Sequence, residues 1–338
     1  MKTQKPRVGV AFNACEALVG KREEQISETS VQQAAQDVLQ ALEQSGYEAV
    51  SLPMSGGIQA FAEQFAAARV TLLVNLCESY RGIPQQEFHV AAFFEMMRWP
   101  FTGNRAFTLA LCQQKYLTKL LLQSHGLACA PGYLAPGMRR PVPLPFPMIV
   151  KPNAEDASLG IYGDSVVHDE QALEKQVNEV FQTYHQPALV EAFIAGREFN
   201  VAVFESETGP MALPVSEIDF SDLPADVPHI LGYEAKWFED HALYRATVPH
   251  CPAPISEALR DRLQSLAVAA FKAVDGRDYA RVDFRVCDDE EIFILEVNPN
   301  PDISLNAGFA RALRAANIPY GAFWQRLIDH ALARKGSR

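Results

Sequence analysis

Long hydrophobic runs, paired cysteines and an excess of positive charge are all missing from this chain, and each absence removes a class of function. No apolar stretch approaches the roughly 20 residues of a membrane span, and the basic start Met1-Lys2-Thr3-Gln4-Lys5-Pro6 has no apolar segment behind it. Neither a membrane protein nor a secretory leader is expected. The six cysteines, Cys15, Cys77, Cys112, Cys129, Cys251 and Cys287, are scattered without a C-x-x-C pair. That pattern disfavours a disulfide framework or a zinc site and fits reduced thiols in a cytoplasmic protein. A net charge of −11 argues against broad contact with nucleic acid or an anionic membrane. The eight histidines form no H-x-x-x-H or H-E-x-x-H, which disfavours zinc hydrolysis. Without G-x-S-x-G an α/β-hydrolase is unsupported. No G-x-G-x-x-G follows the first strand and no G-x-x-x-x-G-K occurs, so neither a dinucleotide cofactor nor a P-loop is indicated.

What is present is an ordinary globular composition, 48% hydrophobic and 21% charged over 338 residues, enough for two or three packed units. The first hundred residues alternate strand and helix. Arg7 to Phe12, Glu48 to Leu52 and Val70 to Leu76 read as strands. Val31, Ala34, Ala35, Val38, Leu39 and Leu42 recur at helical spacing, with Gly46 placed to end the helix. The order predicts a parallel, Rossmann-like sheet. Pro100 to Asn104 reads as a turn, followed by one helix through Leu122. Ala130 to Pro147 is proline-rich and reads as an extended surface connection.

From Met148 the pattern becomes α+β with largely antiparallel pairing. Strands are expected at Met148 to Lys151, Ala188 to Phe193, Glu198 to Phe204, Leu213 to Phe220, Leu243 to Val248, Tyr279 to Val286 and Ile292 to Val297. Helices are expected at Glu170 to Tyr184, Ile255 to Val274, Ala307 to Ala316 and Ala322 to Ala333.

The last two strands carry the most chemistry. Tyr279, Arg281, Asp283 and Arg285 share one face of the first, opposite Ala280, Val282, Phe284 and Val286. In the second, Ile292, Ile294, Glu296 and Asn298 face one way and Phe293, Leu295 and Val297 the other. A hairpin closing around Asp289-Glu290 sets Asp283 opposite Glu296 and Arg281 opposite Asn298. Facing carboxylates repel, and a hard cation such as Mg²⁺ removes that penalty. A solvated face neutralised by Arg281 and Arg285 explains the pattern equally well. Other candidates are individually weak. They are Lys151 at a strand end, the small-residue loop Glu155 to Gly160, Glu191 and Glu198 interrupting apolar runs, Lys236 in a polar stretch, and Lys115 on the helix Phe107 to Leu122.

Taken in order, Pro100-Phe101-Thr102-Gly103, Ile149-Val150-Lys151-Pro152, Leu189-Val190-Glu191, Gly196-Arg197-Glu198-Phe199, Tyr233-Glu234-Ala235-Lys236, Ala280-Arg281-Val282-Asp283 and Leu295-Glu296-Val297-Asn298-Pro299 resemble the ATP-grasp superfamily, in its D-alanine–D-alanine ligase branch. The resemblance spans nearly the whole chain. It implies a Rossmann-like unit (residues 1–104), then an ATP-grasp fold of central (105–190) and C-terminal (191–338) subdomains. It also implies ATP with Mg²⁺, or Mn²⁺ in its place, and small acid and amine substrates such as amino acids or small peptides. Family members often form homodimers, and that assembly is carried over as an expectation.

The resemblance also implies residue roles. Lys115 and Lys151 contact phosphates, with Ser158 in the phosphate loop. Glu191 and the backbone around Phe193 and Ile194 read adenine, Glu198 takes the ribose, and Leu295 belongs to the same cofactor site. Lys236 reaches the terminal phosphates, Asp283, Glu296 and Asn298 bind the metal, and Arg281 stabilises an oxyanion. The substrate-binding glutamate of the branch is matched loosely by Glu23.

Departures fall on the substrate side. Asp156-Ala157-Ser158 stands where the D-alanine ligases usually have Gly-Ser-Ser, Trp237 where they have Tyr or Phe, and Asp302 where they have Gly. Their His-Gly-x-x-Gly-Glu segment has no match around Asn75 to Gly82. The expectation is therefore an ATP-dependent carboxylate–amine ligase for other substrates. An ATP-grasp carboxylase, a small-molecule kinase and a non-catalytic ATP-binding protein are the alternatives. Asp302 either binds a substrate ammonium or caps a helix before Leu305.

Overall fold

The computed structural model describes residues 5–14, 25–135 and 144–336. In chain order the first elements are β1 (Arg7–Asn13), α1 (Gln25–Gln44), β2 (Glu48–Met54), α2 (Gly57–Ala68), β3 (Leu72–Leu76), α3 (Glu87–Met96) and β4 (Phe101–Thr102). They build a parallel sheet in the order β2-β1-β3-β4. All five residues of β3 are buried, because helices cover both faces. Val8, Val10, Leu72 and Val74 share a core with Val38 of α1, whereas Ala11 and Leu73 pack with Phe61 of α2 and Phe94 of α3. The expected Rossmann-like unit is thus present. The expected turn at Pro100 to Asn104 contains instead the short strand β4, paired with β3. Helices α2 and α3 lie outside the expected elements; α3, with Val90, Ala91, Phe93 and Phe94 buried, lacks a clean polar face.

Next come α4 (Ala106–Gln113), α5 (Lys115–Ser124), β5 (Gly132–Ala135), β6 (Met148–Pro152), β7 (Val166–Val167), α6 (Glu170–Tyr184) and β8 (Ala188–Ala192). The single helix expected through Leu122 is broken at Gln114 (ψ 82°). The break is tertiary in origin: Lys115 N and Tyr116 N donate to the carbonyl and side-chain oxygens of Asn153, both at 3.0 Å, and so start a new helix. Helix α6 begins and ends where its periodicity predicts, with Asp169 Oδ1 accepting from Ala172 N at 2.8 Å as its cap. Strands β5-β8-β6-β7 form an antiparallel sheet covered by α6. The described part of the proline-rich connection is therefore not free surface, because Gly132–Ala135 joins this sheet. Strand β8 also runs across the boundary expected at residue 190.

The remaining elements are β9 (Arg197–Ser206), β10 (Gly209–Ala212), β11 (Ser216–Asp219), α7 (Tyr233–Trp237), α8 (Ala242–Arg245), β12 (Val248–His250), α9 (Glu257–Ala273), β13 (Tyr279–Val286), β14 (Ile292–Asn298), α10 (Gly308–Ala315) and α11 (Tyr320–Gly336). Strands β12-β11-β9-β13-β14, with β10 on β9, make a third, antiparallel sheet. The strand expected at Leu243 to Val248 is a correction: residues 242–245 turn as helix α8, and strand pairing begins only at Val248. Helix α11 returns to the first sheet, where Phe323, Trp324 and Leu327 join the core of β1 and β3.

Two buried polar residues lock the first unit to the base of the hairpin. Asn104 donates to the carbonyls of Tyr279 and Pro299, each at 2.7 Å, and accepts from Arg277 N at 2.7 Å. Asp278 accepts from Gly103 N at 2.7 Å and from Arg334 at 2.6 and 2.9 Å.

Candidate active site

The hairpin has the expected register: Arg281 lies opposite Asn298 and Asp283 opposite Glu296. A bulge follows, so Phe284 pairs with Ile294 and Leu295 is the extra residue. This corrects the expected parity of β14. Ile292, Ile294 and Val297 enter one core together with Phe284. Leu295, Glu296 and Asn298 line a cleft with Arg281 and Asp283. The bulge is what lets an apolar strand present three neighbouring residues to the site.

Arg281 and Asp283 form a two-point ion pair, both contacts 2.7 Å. Arg285, 4% exposed, pairs with Glu198 at 2.7 Å and donates to the Gly196 and His229 carbonyls. Both arginines therefore neutralise acids, as the alternative reading of the pattern required, but inside the protein rather than on a solvated face. Burial pushes the Glu296 carboxyl up, and the opposing charges of Lys115, Lys151, Arg281 and Lys236 outweigh it, leaving the group below its ordinary value. Glu296 is thereby held as a carboxylate in a buried position. At Gly196, between β8 and β9, a Cβ would meet the Val286 carbonyl oxygen at 2.1 Å at a φ of +139°. Only glycine fits this turn, which delivers Glu198 to the cleft.

Across the cleft stands a stack of lysines. Lys151 ends β6 at 7% exposure, 2.6 Å from Glu191. Burial lowers its pKa to about 8. Lys119, one turn beyond Lys115 on α5, pairs with the other Glu191 oxygen and donates to the Ala130 carbonyl at 2.7 Å. Burial and then Lys151 lower its pKa as well. The Glu191 side chain, expected at adenine, is thus clamped between two lysines. Lys115 sits at the start of α5, where a positive charge is unfavourable to the helix dipole. It contacts the Glu155 carbonyl and lies 3.4 Å from Asp156 and 3.8 Å from Glu296. Those acids raise its pKa against the opposing pull of burial.

The loop between β6 and β7 crosses the mouth. Ala157 and Ser158 both adopt left-handed backbone (φ 56° and 63°), a conformation that costs about 1–3 kcal/mol per non-glycine residue and concentrates at ligand-binding loops. Ser158 Oγ donates to the Leu231 carbonyl at 2.9 Å, and Trp237 Nε1 to the Ala157 carbonyl at 2.9 Å. Both bonds tie the loop to the lobe that carries Lys236.

One cleft of about 860 Å³, open mouth included, is lined by Lys151, Ser158, Glu191, Phe193, Ile194 and Glu198 from one side of the site, and by Lys236, Arg281, Asp283, Leu295, Glu296 and Asn298 from the other. Lys115 adjoins it through Glu296. Glu23 lies outside the described residues. A second chamber shares Ala157, Lys236, Arg281 and Asn298 with the first and extends to Glu78, Glu87 and Asp302. Asp302 accepts from Ser304 N at 2.8 Å, closing a local turn, while α10 starts only at Gly308. Sequence reasoning missed Lys119, although its four-residue spacing from Lys115 puts both on one helix face. It also missed Glu87, which nothing local marks.

The family model described as the D-ala D-ala ligase C-terminus matches residues 141–329. Uncharacterized protein y4sG of Sinorhizobium fredii is 32% identical over 309 residues, covering 89% of this chain and 88% of that protein. A D-alanine–D-alanine ligase of Syntrophotalea carbinolica is 30% identical over 301 residues, covering 88% of this chain and 90% of its own. Among solved structures, the D-alanine–D-alanine ligase of Bacillus anthracis complexed with ATP superposes with a TM-score of 0.76 at 19% identity, over 98% of this chain and 99% of the other. With that fold and that matched C-terminal region, the chain belongs to the D-alanine–D-alanine ligase family, an ATP-grasp branch of enzymes that form carbon–nitrogen bonds.

Proposed function

We propose that the chain is an ATP-dependent carboxylate–amine ligase that makes an amide through an acyl phosphate, from a substrate pair other than two D-alanines. The observation that carries this reading is the cleft that gathers Asp283, Glu296 and Asn298 with Lys151, Lys236 and Arg281. The donor set suits a hard divalent cation: two carboxylates in cross-strand register and an amide oxygen, with no sulfur or imidazole among them. Asp283, Glu296 and Asn298 would hold Mg²⁺, or Mn²⁺ in its place. Such an ion supplies positive charge against the phosphate oxygens.

The chain's own groups do the rest. Lys115, Lys151 and Lys236 neutralise phosphate oxygens, and the loop containing Ser158 closes over them. Glu191, Phe193, Ile194 and Leu295 wall the adenine, and Glu198 accepts from a ribose hydroxyl. The substrate carboxylate oxygen bonds to the γ-phosphorus as the bond from that phosphorus to ADP breaks. The amine nitrogen then bonds to the acyl carbon, sheds a proton, and phosphate leaves. Arg281, buried beside Asp283, stabilises the oxyanion between those two events. Glu23 contacts substrate on this reading. The division into units 1–104, 105–190 and 191–338, a cytoplasmic setting and a homodimeric assembly belong to the same proposal. Support for the setting comes from the free state of all five described cysteines.

The test is a release assay for ADP and phosphate over pairs of amino acids and dipeptides, with mass spectrometry of the product. ADP and free phosphate should appear only when acid and amine are both present. Phosphate retained on a substrate would replace the ligase by a kinase.

A further inference from the structure

The second chamber is the substrate side of the ligase, and its assignment rests on that reading of the function. Among the described residues that line it, Glu87 and Asp302 are acids with no ion pair of their own, beside Asp156, Lys236 and Arg281. Arg281 is already committed to Asp283 and Asp156 to Lys115. Glu87, at the start of α3, is the deepest acid at 6% exposure. It accepts from a neutral group, the Asn300 amide at 2.9 Å, and no cation pairs with it among the described residues. Burial, then Asp156, push its carboxyl up to about 8. A buried carboxylate without a cation is costly, and a cationic ligand removes that cost. The lining also includes the apolar side chains of Leu109, Leu159 and Trp237. This is the surface that a methylene stem covers. Asn300 and Asp302 lie on the exit of β14, the loop where the chain departs from the D-alanine ligases.

We infer that this chamber selects a substrate with two ammonium groups joined by a short aliphatic stem, and that Glu87 holds one of them. One ammonium belongs to any amino acid. The second is what the additional acids recognise. Lysine is the natural probe, and norleucine is its control, with the same stem and no second charge.

The experiment is calorimetry on the full-length protein saturated with Mg²⁺ and a non-hydrolysable ATP analogue, with both enantiomers of lysine, norleucine, alanine and glutamate as probes. Lysine should bind at least about tenfold more tightly than norleucine, the factor that 1.4 kcal/mol represents. Glu87→Gln should remove most of that lead while binding of the nucleotide analogue is kept. If that variant fails to fold, the lysine–norleucine comparison in the unaltered protein still decides the matter. Equal binding of norleucine, tighter binding of glutamate, or no binding of any probe overturns the inference. Failure of the ligase reading would register separately, as absence of ADP formation with every acid–amine pair.

Discussion

Glu191→Gln is the perturbation whose size the structure sets most directly. Glu191 is 2% exposed and holds Lys119 and Lys151, which are 4% and 7% exposed. The amide keeps the shape and one acceptor but removes the negative charge that pairs with both buried lysines. Breaking a buried ion pair from one side costs about 3–5 kcal/mol. At about 2.1 cal/mol/K per residue for cooperative unfolding, the 338-residue chain would lose roughly 4–7 °C in Tm. A second change separates charge from shape. Lys119→Met replaces one of the like charges by an apolar chain of similar length, at the cost of the hydrogen bond to the Ala130 carbonyl. Introduced on top of Glu191→Gln, it should recover part of the loss, with a coupling of about 1–3 kcal/mol. Urea denaturation of the four proteins of the cycle measures this. A loss under about 1 kcal/mol for Glu191→Gln, or additive single changes, would refute the account of Glu191 as the charge that permits two buried lysines.

Asn104→Ala removes three hydrogen bonds between the first unit and the hairpin base. At about 1 kcal/mol per bond it should destabilise by roughly 3 kcal/mol in denaturant titrations. Arg281→Ala should lower kcat by about 10²–10³-fold, the effect of removing an oxyanion donor, with little change in nucleotide affinity by calorimetry. Glu87 predicts a pH dependence. The unfolded chain releases this proton near 4.5 and the folded one holds it to about 8. The folded state therefore binds more protons across that window, and its stability falls as pH rises through it. Urea titrations across the window should show a shallower fall for Glu87→Gln. Trp237→Phe removes the bond to the Ala157 carbonyl and should weaken nucleotide binding by several-fold in calorimetry, leaving Tm nearly unchanged.

Local patterns in the sequence determined the elements whose residues answer to one environment each. Helix α6 has one apolar face and a side-chain cap, and its bounds are those its spacing predicts. Alternation along β13 is unbroken, so the register that faces Asp283 with Glu296 is legible in the sequence alone. The ordered motifs likewise point to the residues that line the cleft.

Other features were decided by contacts between segments far apart in the chain. The bulge at Leu295 inverts half of β14, because a partner strand rather than local parity fixes which residues are buried. Asn153 breaks a continuous helical pattern at Gln114 by supplying acceptors to the new helix start. Helix α3 forms without clean amphipathic spacing, since packing against the sheet and against the aromatic ring of Phe61 on α2 buries Val90, Ala91, Phe93 and Phe94. Lys119, Glu87 and Asn300 look unremarkable in sequence. Their chemistry exists only where folding removes water and sets Lys119 beside Glu191, and Glu87 beside Asn300. Charge and periodicity are local properties that a sequence states by itself, whereas desolvation and pairing of distant groups exist only once the chain has folded.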